Sequence, residues 1–367
     1  MSTVWLPCGY YHENYKQDQG WWQTPVIKFK MILLLLTVFV VIPLLLPEYW
    51  MGVGTMIGYT AMGALGVQLL IGFGGLLTLG HAAFIAVGAY TSALLVLNFP
   101  WPQTFVDLGL AYPISIVMAG ITAGLWSVLF GLPSARVKGF YLILTTIAAQ
   151  FITVDFILTQ YVSQIGGRGQ AFSLPPGTMK IGPWQMDSEV KVYLFMAVLV
   201  CLMVTVTANL LRSKPGRAWV AIRDNDIAAS TMGINVFWYK ILAFFVAGAM
   251  AGIAGAFWLS NTAALSPEHF TWFWSLWLVG VILIGGVGSI HGAIFGSIFM
   301  VLVMEALQMG VIPLAAYYPQ LLMKFAFVKK ALFGLIICAF LIFEPHGIAY
   351  RWWQIKNYFN LWPFSYK

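Results

Sequence analysis

Two glycine-rich segments, one in each half of the chain, hold the residues best suited to contact a small polar solute. They read GFGGLLTLGHAAF from Gly72 and IGGVGSIHGAIF from Ile284, so each has a glycine cluster followed by a histidine. Glycine lowers the cost of breaking a helix, and a broken helix frees backbone amides and carbonyls that can meet the two charges of a zwitterion. The predicted path-lining residues are Gly74, Gly75, Thr78 and His81 in the first segment and Gly285, Gly286, Ser289 and His291 in the second.

These two segments allow two interpretations. Matching glycine-broken segments in the two halves of a membrane protein are typical of an inverted repeat around a transport path. Ordinary, tightly packed helices use the same small residues, and a satisfied buried histidine explains His81 and His291 about as well. The first interpretation predicts that both segments are non-helical or kinked.

The stretch Leu211–Phe244 is a polar insert between apolar runs, in a chain that otherwise has almost no charge. Such an insert predicts a docking surface for a soluble partner, built on a short helix at Asp224–Gly233. Small alanines let this helix approach the partner closely, and glycine tolerates the left-handed dihedrals that end a helix. The predicted coupling residues are Arg217, Arg223, Asp224, Asp226, Ala228, Ala229 and Gly233.

Signatures of enzymes are absent from the sequence. There is no Walker-type GxxxxGK loop, no HExxH motif and no CxxC motif. The five histidines and three cysteines are scattered rather than grouped as metal ligands. We therefore expect no catalytic residue, no metal and no cofactor in this chain. Without a phosphate-binding loop, active transport needs energy from another subunit that binds ATP, or from an ion gradient.

Composition places these segments in a membrane protein. The chain of 367 residues is 60% hydrophobic and 8% charged, whereas soluble domains carry about 25% charged residues. Apolar runs near the ~20 residues that cross a bilayer must be helical, because lipid offers no partner for backbone groups. We predict an all-α, polytopic transmembrane helix bundle of about ten spans with an internal inverted repeat and glycine-broken helices. The predicted spans are 31–46, 51–70, 80–97, 112–132, 140–158, 190–211, 239–259, 274–288, 291–307 and 331–343.

The distribution of basic residues predicts the orientation. The net charge of +7 does not indicate nucleic-acid binding, because most basic residues lie in segments beside apolar runs. The positive-inside rule places the polar insert and both termini in the cytoplasm. The predicted organisation is a cytoplasmic tail at 1–30, a transmembrane domain at 31–348 and a cytoplasmic tail at 349–367. Within the domain, 160–190 forms an external loop and 212–239 the cytoplasmic coupling loop.

Five sequence blocks together resemble the permease subunits of branched-chain amino acid ABC importers, the LivM type. They are Gly72–Tyr90, Arg136–Ala149, Gly216–Gly255, Leu283–Gly296 and Phe343–Ile348. Related permeases for urea, amides and aromatic acids share these blocks, so the exact solute does not follow from them. The resemblance implies a permease domain in the bacterial cytoplasmic (inner) membrane. It also implies two cytoplasmic ATP-binding subunits, a second homologous permease and a periplasmic solute-binding protein as partners.

The chain departs from this family in two places. ABC permeases carry a docking motif of the form EAAxxxG, and Ile227–Gly233 fits it without the glutamate, while Asp226 lies one residue earlier. The acidic charge of the docking motif therefore lies one residue earlier in this chain than in the family pattern. The closing segment has Glu344 and His346 where basic residues are usual, which weakens the basic character of the C-terminal end.

Two other function classes remain open on the residues alone. An ion-coupled secondary transporter with inverted repeats needs carboxylates in mid-membrane; Asp155 and Glu305 are the candidates, but both lie near span ends, where interfacial capping explains them. A membrane-embedded enzyme needs clustered ligands, which the scattered histidines do not supply. Arg168 in the external loop is either a solvated residue or a partner for an acidic group of a delivery protein.

Overall fold

The computed structural model describes residues 25–137, 139–162, 172–173, 179–182, 184–262, 264–315 and 320–361. Residues 1–24 of the N-terminal tail, Arg168 and part of the predicted external loop lie outside these ranges. Within them the chain is almost entirely helical, because apolar runs in lipid satisfy their backbone groups as helices. The all-α prediction is confirmed.

The helices are numbered here in chain order. They are α1 (Pro25–Leu36), α2 (Ile42–Leu45), α3 (Glu48–Val67), α4 (His81–Leu97), α5 (Gln103–Asp107), α6 (Ala111–Ser134), α7 (Phe140–Gln150), α8 (Glu189–Arg212), α9 (Lys214–Asp224), α10 (Asp226–Thr231), α11 (Val236–Thr262), α12 (Trp272–Gly285), α13 (Ile290–Ala315), α14 (Gln320–Phe343) and α15 (Ile348–Leu361). π-Helical segments at Thr37–Val41, Gln68–Phe73 and Phe151–Val162 continue α1, α3 and α7. A 3-10 turn at Pro267–Phe270 precedes α12.

Each of the ten predicted spans contains a helix. In the described ranges, 7 helices are long and apolar enough to cross a membrane, and the number rises to 8 if the pair Phe327–Phe343 and Ile348–Leu361, bent by 42°, forms one span. The apolar helices α4 and α12 are shorter. The bounds differ most at the last span: the sequence predicts a start at residue 331, whereas α14 begins at Gln320.

Four strands of two residues each are the β-structure of the described ranges. β1 (Phe172–Ser173) pairs antiparallel with β4 (Ala264–Leu265), with Phe172 opposite Leu265. β2 (Lys180–Ile181) pairs antiparallel with β3 (Trp184–Gln185). The β1–β4 pair ties the loop before α8 to the segment that follows α11, at one end of the bundle.

Small residues bring α4, α6 and α11 into close contact. A Cβ on Gly88 of α4 would overlap the backbone of Gly252 on α11, and a Cβ on Gly255 would overlap a carbonyl of α4. On α6, the Ser127 hydroxyl donates to the Phe244 carbonyl of α11 at 2.6 Å. Membrane helices associate through such contacts because lipid supplies no hydrophobic driving force between them.

The helices α3 and α1 differ most in burial. In α3 and its π-helical continuation, 89% of the apolar stretch is buried, whereas none of the apolar stretch of α1 and α2 is buried. The N-terminal span is bound to the bundle where the Tyr193 hydroxyl of α8 donates to the Val38 carbonyl at 3.3 Å. Because α3 is buried in the bundle, it fixes the position of the residues at its C-terminal end, which belong to the candidate site.

Candidate functional site

The two glycine-rich segments are both non-helical, and they touch each other. After the π-helical segment Gln68–Phe73 the chain leaves helical geometry until His81, and α12 ends at Gly285 before α13 begins at Ile290. A Cβ on Gly72 would lie 2.7 Å from the Gly288 backbone nitrogen. The prediction of broken helices is confirmed at both segments. We call the contact between residues 72–75 and residues 285–289 the glycine junction.

A buried amide side chain fastens the junction. Gln68 is fully buried, and its Nε2 donates to the Gly286 carbonyl at 3.0 Å and to the Ser289 carbonyl at 2.8 Å. A buried amide is costly unless it forms hydrogen bonds. The Gln68 Nε2 bonds to the Gly286 carbonyl and shares the Ser289 carbonyl with the Ala293 N–H, whereas its Oε1 has no partner among the described residues. Sequence reasoning missed Gln68. The available signal was a lone glutamine inside an otherwise apolar run.

Arg223 connects the junction to the polar insert. Its Nη1 donates to the Gly72 carbonyl at 2.8 Å, while Nε and Nη2 donate to Asp224 Oδ1 at 3.0 and 2.9 Å. The Arg223 side chain also packs over Gly75, where a Cβ would lie 2.9 Å from its Cγ. The carbonyls of Gly72, Gly286 and Ser289 are thus occupied by side chains of this chain. In this conformation they do not offer the free backbone groups that the sequence predicted. We call the end of the helix bundle that contains Arg223 the insert end.

The two histidines, expected in corresponding places, have different surroundings. His81 begins α4 and is 1% exposed, and neither ring nitrogen has a hydrogen-bond partner among the described residues. The missing side chain of Gly66 leaves the space that His81 Nε2 fills. His291 is exposed and lies beside Phe295, with ring centroids 6.4 Å apart. The two glycine-rich segments therefore repeat in sequence, but their histidines lie in different environments.

The hydroxyls predicted to meet a solute bond within their own segments. Thr78 is 1% exposed, and its Oγ1 accepts from the Gly80 N–H at 3.5 Å. Ser289 Oγ accepts from the Gly292 N–H at 3.3 Å. Both hydroxyls contribute to the conformation of the breaks.

The segment after α14 closes the junction from a third side. Gly347 has φ +75°, and a Cβ there would lie 2.5 Å from the Gly286 backbone nitrogen. Next to it, Arg351 Nε donates to both carboxylate oxygens of Glu344, at 2.8 and 2.7 Å. These bonds lower the pKa of the Glu344 carboxyl. Glu344, a departure from the family pattern, thus holds the start of α15 near the junction.

The short helix predicted in the polar insert exists, with a corrected start. α10 spans Asp226–Thr231, and Asn225 caps it by accepting from the N–H groups of Ile227 and Ala228 at 3.0 and 3.1 Å. Asp224 ends the preceding helix α9 and does not belong to α10, because the N-cap residue between them is extended. Gly233 follows with φ +82°, as expected for a residue that terminates a helix.

Two large apolar side chains are exposed on α10 and at its C-cap, beside the exposed Ser230 and Thr231. Ile227 is 69% exposed and Met232 is 83% exposed. Ala228 is also exposed, but Ala229 is 4% exposed and packs inside this chain. Ala228 therefore lies on the outward surface of α10, whereas Ala229 does not. Sequence reasoning missed Ile227 and Met232 as surface residues, since large apolar side chains beside apolar spans are usually expected to be buried. We call Ile227, Ala228 and Met232 the docking face.

Two further basic residues of the insert contact other groups of the chain. Arg217 Nη1 donates to the Arg212 carbonyl at the end of α8 at 2.8 Å. Lys240 of α11 is 6% exposed and lies 4.0 Å from Asp226 Oδ2. A cavity of about 340 Å³ opens between the insert and the first glycine break, with Gly74, Gly75, Arg223, Asp224, Asp226 and Lys240 in its lining.

The carboxylates that an ion-coupled transporter would need are placed unfavourably. Asp155 is exposed on the π-helical segment after α7. Glu305 accepts a hydrogen bond from the Tyr49 hydroxyl near the start of α3. Within the described residues, no group of three or more His, Cys, Asp or Glu side chains is arranged to hold a metal ion.

Adding one methyl group to the junction is expected to destabilise the protein. In Gly72→Ala the new Cβ meets the Gly288 backbone at 2.7 Å, and overpacking of this kind costs about 1–3 kcal/mol. The matched control is Gly310→Ala on α13, where a Cβ meets nothing within 4 Å and helix propensity favours alanine by about 1 kcal/mol. Thermal unfolding of both variants in detergent checks this. Equal unfolding temperatures would show that the junction is not tightly packed.

Comparison with known proteins identifies the bundle. Residues 50–343 match the family model described as "Branched-chain amino acid transport system / permease component". The chain belongs to this family. The described span helices agree with a multi-pass membrane permease, and the resemblance to LivM-type permeases is confirmed. This assignment makes the chain a transport component rather than an enzyme.

Individual relatives of this permease are distant. The high-affinity branched-chain amino acid transport system permease protein LivM of Salmonella typhimurium is 29% identical over 304 residues, which cover 77% of this chain and 69% of the relative. The probable LivM protein of Methanocaldococcus jannaschii is 24% identical over 305 residues, covering 83% and 85%. The LivH permease of Escherichia coli is 24% identical over 265 residues, covering 67% and 81%. No solved structure matches this permease.

Proposed function

We propose that this permease is the membrane-spanning subunit of an ABC importer for branched-chain amino acids or a similar small zwitterion. A soluble binding protein delivers the solute on the external face of the inner membrane, and separate ATPase subunits supply the energy. The observation that carries the proposal is the docking face on α10, in a chain whose family is that of branched-chain amino acid permease components. Relatives named LivM and LivH support a second, homologous permease as the neighbour in the membrane.

In this proposal the insert end faces the cytoplasm. The insert carries Arg212, Lys214, Arg217 and Arg223, and such a concentration of positive charge beside spans favours the cytoplasmic side. An exposed Ile and Met on a short capped helix would be costly in water unless a partner covered them. An ATPase subunit at this position would bury the docking face whenever the complex is assembled.

The glycine junction is the element that the ATPases would move. Arg223 lies at the end of α9, next to the cap of α10, and binds the Gly72 carbonyl. A displacement of α10 is thus carried through one side chain to the end of the central helix α3. Closure of the ATPase dimer must favour one permease conformation by differential contacts, and this bond is a contact that can differ between the two.

A secondary transporter is the alternative. It would use a carboxylate as its ion site, but Glu305 is already bonded to Tyr49 and Asp155 is exposed. Neither lies at the glycine junction.

Replacing Arg223 is expected to uncouple transport without releasing the ATPases. Arg223→Ala removes the bond to Gly72 and leaves Ile227 and Met232 in place, so the ATPase subunits should copurify while ATP-driven uptake falls at least tenfold, about the effect of losing one charge-assisted bond. The control, Lys214→Ala, removes one positive charge from the same insert and should keep near-normal uptake. Uptake is measured in proteoliposomes of the complex. Normal uptake in Arg223→Ala would contradict the coupling role of this bond.

A further inference from the structure

Four aromatic side chains form a cluster inside the bundle, away from the glycine junction. Tyr59 of α3 packs against Trp258 of α11 and Trp274 of α12, with ring centroids 4.7 and 5.7 Å apart. Trp277, one turn further along α12, stacks on Trp274 at 6.3 Å with an interplanar angle of 12°. Tyr59 is 2% exposed and Trp277 is 8% exposed. This is not an interfacial aromatic belt, because belt residues face the lipid headgroups. We call these four residues the aromatic cluster.

The cluster contains polar atoms that bond to nothing in the described part of the chain. The indole nitrogens of Trp258, Trp274 and Trp277 are buried there without a hydrogen-bond partner. The Trp274 indole interacts with the Tyr59 hydroxyl, at a geometry short of a full hydrogen bond, so Trp258 and Trp277 are the cluster indoles without an acceptor nearby. Thr55 is 0% exposed, its hydroxyl is also unpartnered, and it lies one helical turn from Tyr59 on the same face of α3.

These unpartnered donors need an explanation beyond packing. A buried donor without an acceptor carries a desolvation penalty that no hydrogen bond offsets, and phenylalanine would fill similar space without that penalty. Outside the cluster the described tryptophans differ: Trp353 Nε1 is buried without a partner, whereas Trp126 and Trp219 find acceptors. Trp126 Nε1 donates to Thr153 Oγ1 at 3.0 Å, and Trp219 Nε1 donates to the Tyr239 carbonyl at 2.8 Å. The indoles of Trp258 and Trp277 and the Thr55 hydroxyl are unpaired donors gathered in one cluster, and this grouping points to an acceptor that belongs to a ligand.

The position of the cluster suits a site along a path. Tyr59 lies about 20 Å along α3 from Gly72, at ~1.5 Å per helical residue, and so in the part of the bundle remote from the insert end. Trp258 and Trp274 are partly exposed, so the cluster is reachable from outside the protein core. The His269 imidazole lies 6.1 Å from the Trp258 ring, and its Nδ1 already accepts from the Ser266 N–H.

We propose that the aromatic cluster binds an amino acid zwitterion with an apolar side chain. The indole N–H groups and the Thr55 hydroxyl donate to the carboxylate. The ring faces of Tyr59 and Trp258 attract the ammonium through cation–π interaction, and the remaining ring surface contacts the apolar side chain. This site rests on the proposed function for its class of solute. It differs from the glycine junction, whose carbonyls are occupied and which serves as the moving part.

Single Trp→Phe changes test this site, because they keep the ring and delete the N–H. In Trp258→Phe and Trp277→Phe, the KM for ATP-driven leucine uptake by the reconstituted complex is expected to rise about tenfold, as for loss of a bond to a carboxylate. The unfolding temperature should stay the same or rise, since an unpaired donor has been removed. The matched control is Trp126→Phe, which loses a formed bond. Its unfolding temperature should fall while its KM for leucine stays unchanged.

Competition experiments separate the two ends of the solute. Isoamylamine has the ammonium without the carboxylate, and 4-methylpentanoate has the carboxylate without the ammonium. Loss of the indole donors should weaken competition by 4-methylpentanoate and leave that by isoamylamine unchanged. A KM within twofold of wild type in both Trp→Phe variants, or a fall in their unfolding temperature like that of Trp126→Phe, would overturn the cluster site. An unaltered complex that shows no ATP-driven leucine uptake would instead overturn the proposed function.

Discussion

Proteoliposomes that contain this permease without ATPase subunits are expected to accumulate no leucine, whichever ion gradient is imposed. The chain has no phosphate-binding loop, and its two candidate intramembrane carboxylates are unsuited to ion coupling, because Asp155 is exposed and Glu305 is bonded to Tyr49. The expected difference in leucine accumulation between the permease alone and the full complex is all-or-none. Adding the copurifying ATPase subunits, the second permease, the binding protein and ATP should produce accumulation against the gradient.

Two controls make this reconstitution decisive. A non-hydrolysable ATP analogue should abolish uptake by the full complex, because the conformational cycle needs hydrolysis. Liposomes with the permease alone, under a proton or sodium gradient, report on the secondary-transporter alternative. Gradient-driven accumulation by the permease alone would refute the ABC importer and favour that alternative.

Placing charge on the docking face is expected to release the ATPase subunits. In the double variant Ile227→Asp/Met232→Asp, two side chains that are 69% and 83% exposed in the isolated chain would be buried as carboxylates in the complex. Burying an unpaired charge is far costlier than burying an apolar side chain. ATPase copurification in mild detergent should therefore fall by at least an order of magnitude, and ATP-driven uptake should fall with it.

The matched control for this variant is Asn235→Asp. Asn235 Oδ1 caps α11 by accepting from the Trp238 N–H at 3.3 Å, and aspartate caps a helix as well as asparagine does. This change adds a negative charge at the insert end without touching α10, so copurification should persist. Undiminished ATPase binding by the double variant would mean that the docking face has been wrongly assigned.

Local features of this permease could be predicted from its sequence. Glycine clusters at Gly72 and Gly285 predict breaks in helices because the residue type itself permits the dihedrals. The same reasoning finds the end of α10 at Gly233, which has φ +82°. The apolar runs predict the spans, because lipid leaves the backbone no alternative to the helix.

Contacts between distant segments could not be predicted in this way. The Arg223–Gly72 bond joins residues 151 apart in the sequence, and the Gln68–Ser289 bond joins residues 221 apart. The identity of an arginine or a glutamine does not indicate which distant residue it will contact. From the sequence, a carbonyl at a helix break can accept a hydrogen bond from a solute or from a side chain equally well. The inward position of Ala229 likewise depends on how α10 packs on its neighbours.

The close approach of α4 and α11 limits the ways in which this permease can move. Where Gly88 meets Gly252 the two backbones are in contact, so sliding one helix along the other would drive a neighbouring side chain into a main chain. These helices, with α6 beside them, should keep fixed mutual distances throughout a transport cycle. The distance between spin labels on α4 and α11 would then stay constant and serve as an internal reference. Changes in the distance from these labels to labels on α3 or α12 would report movement of the glycine junction alone.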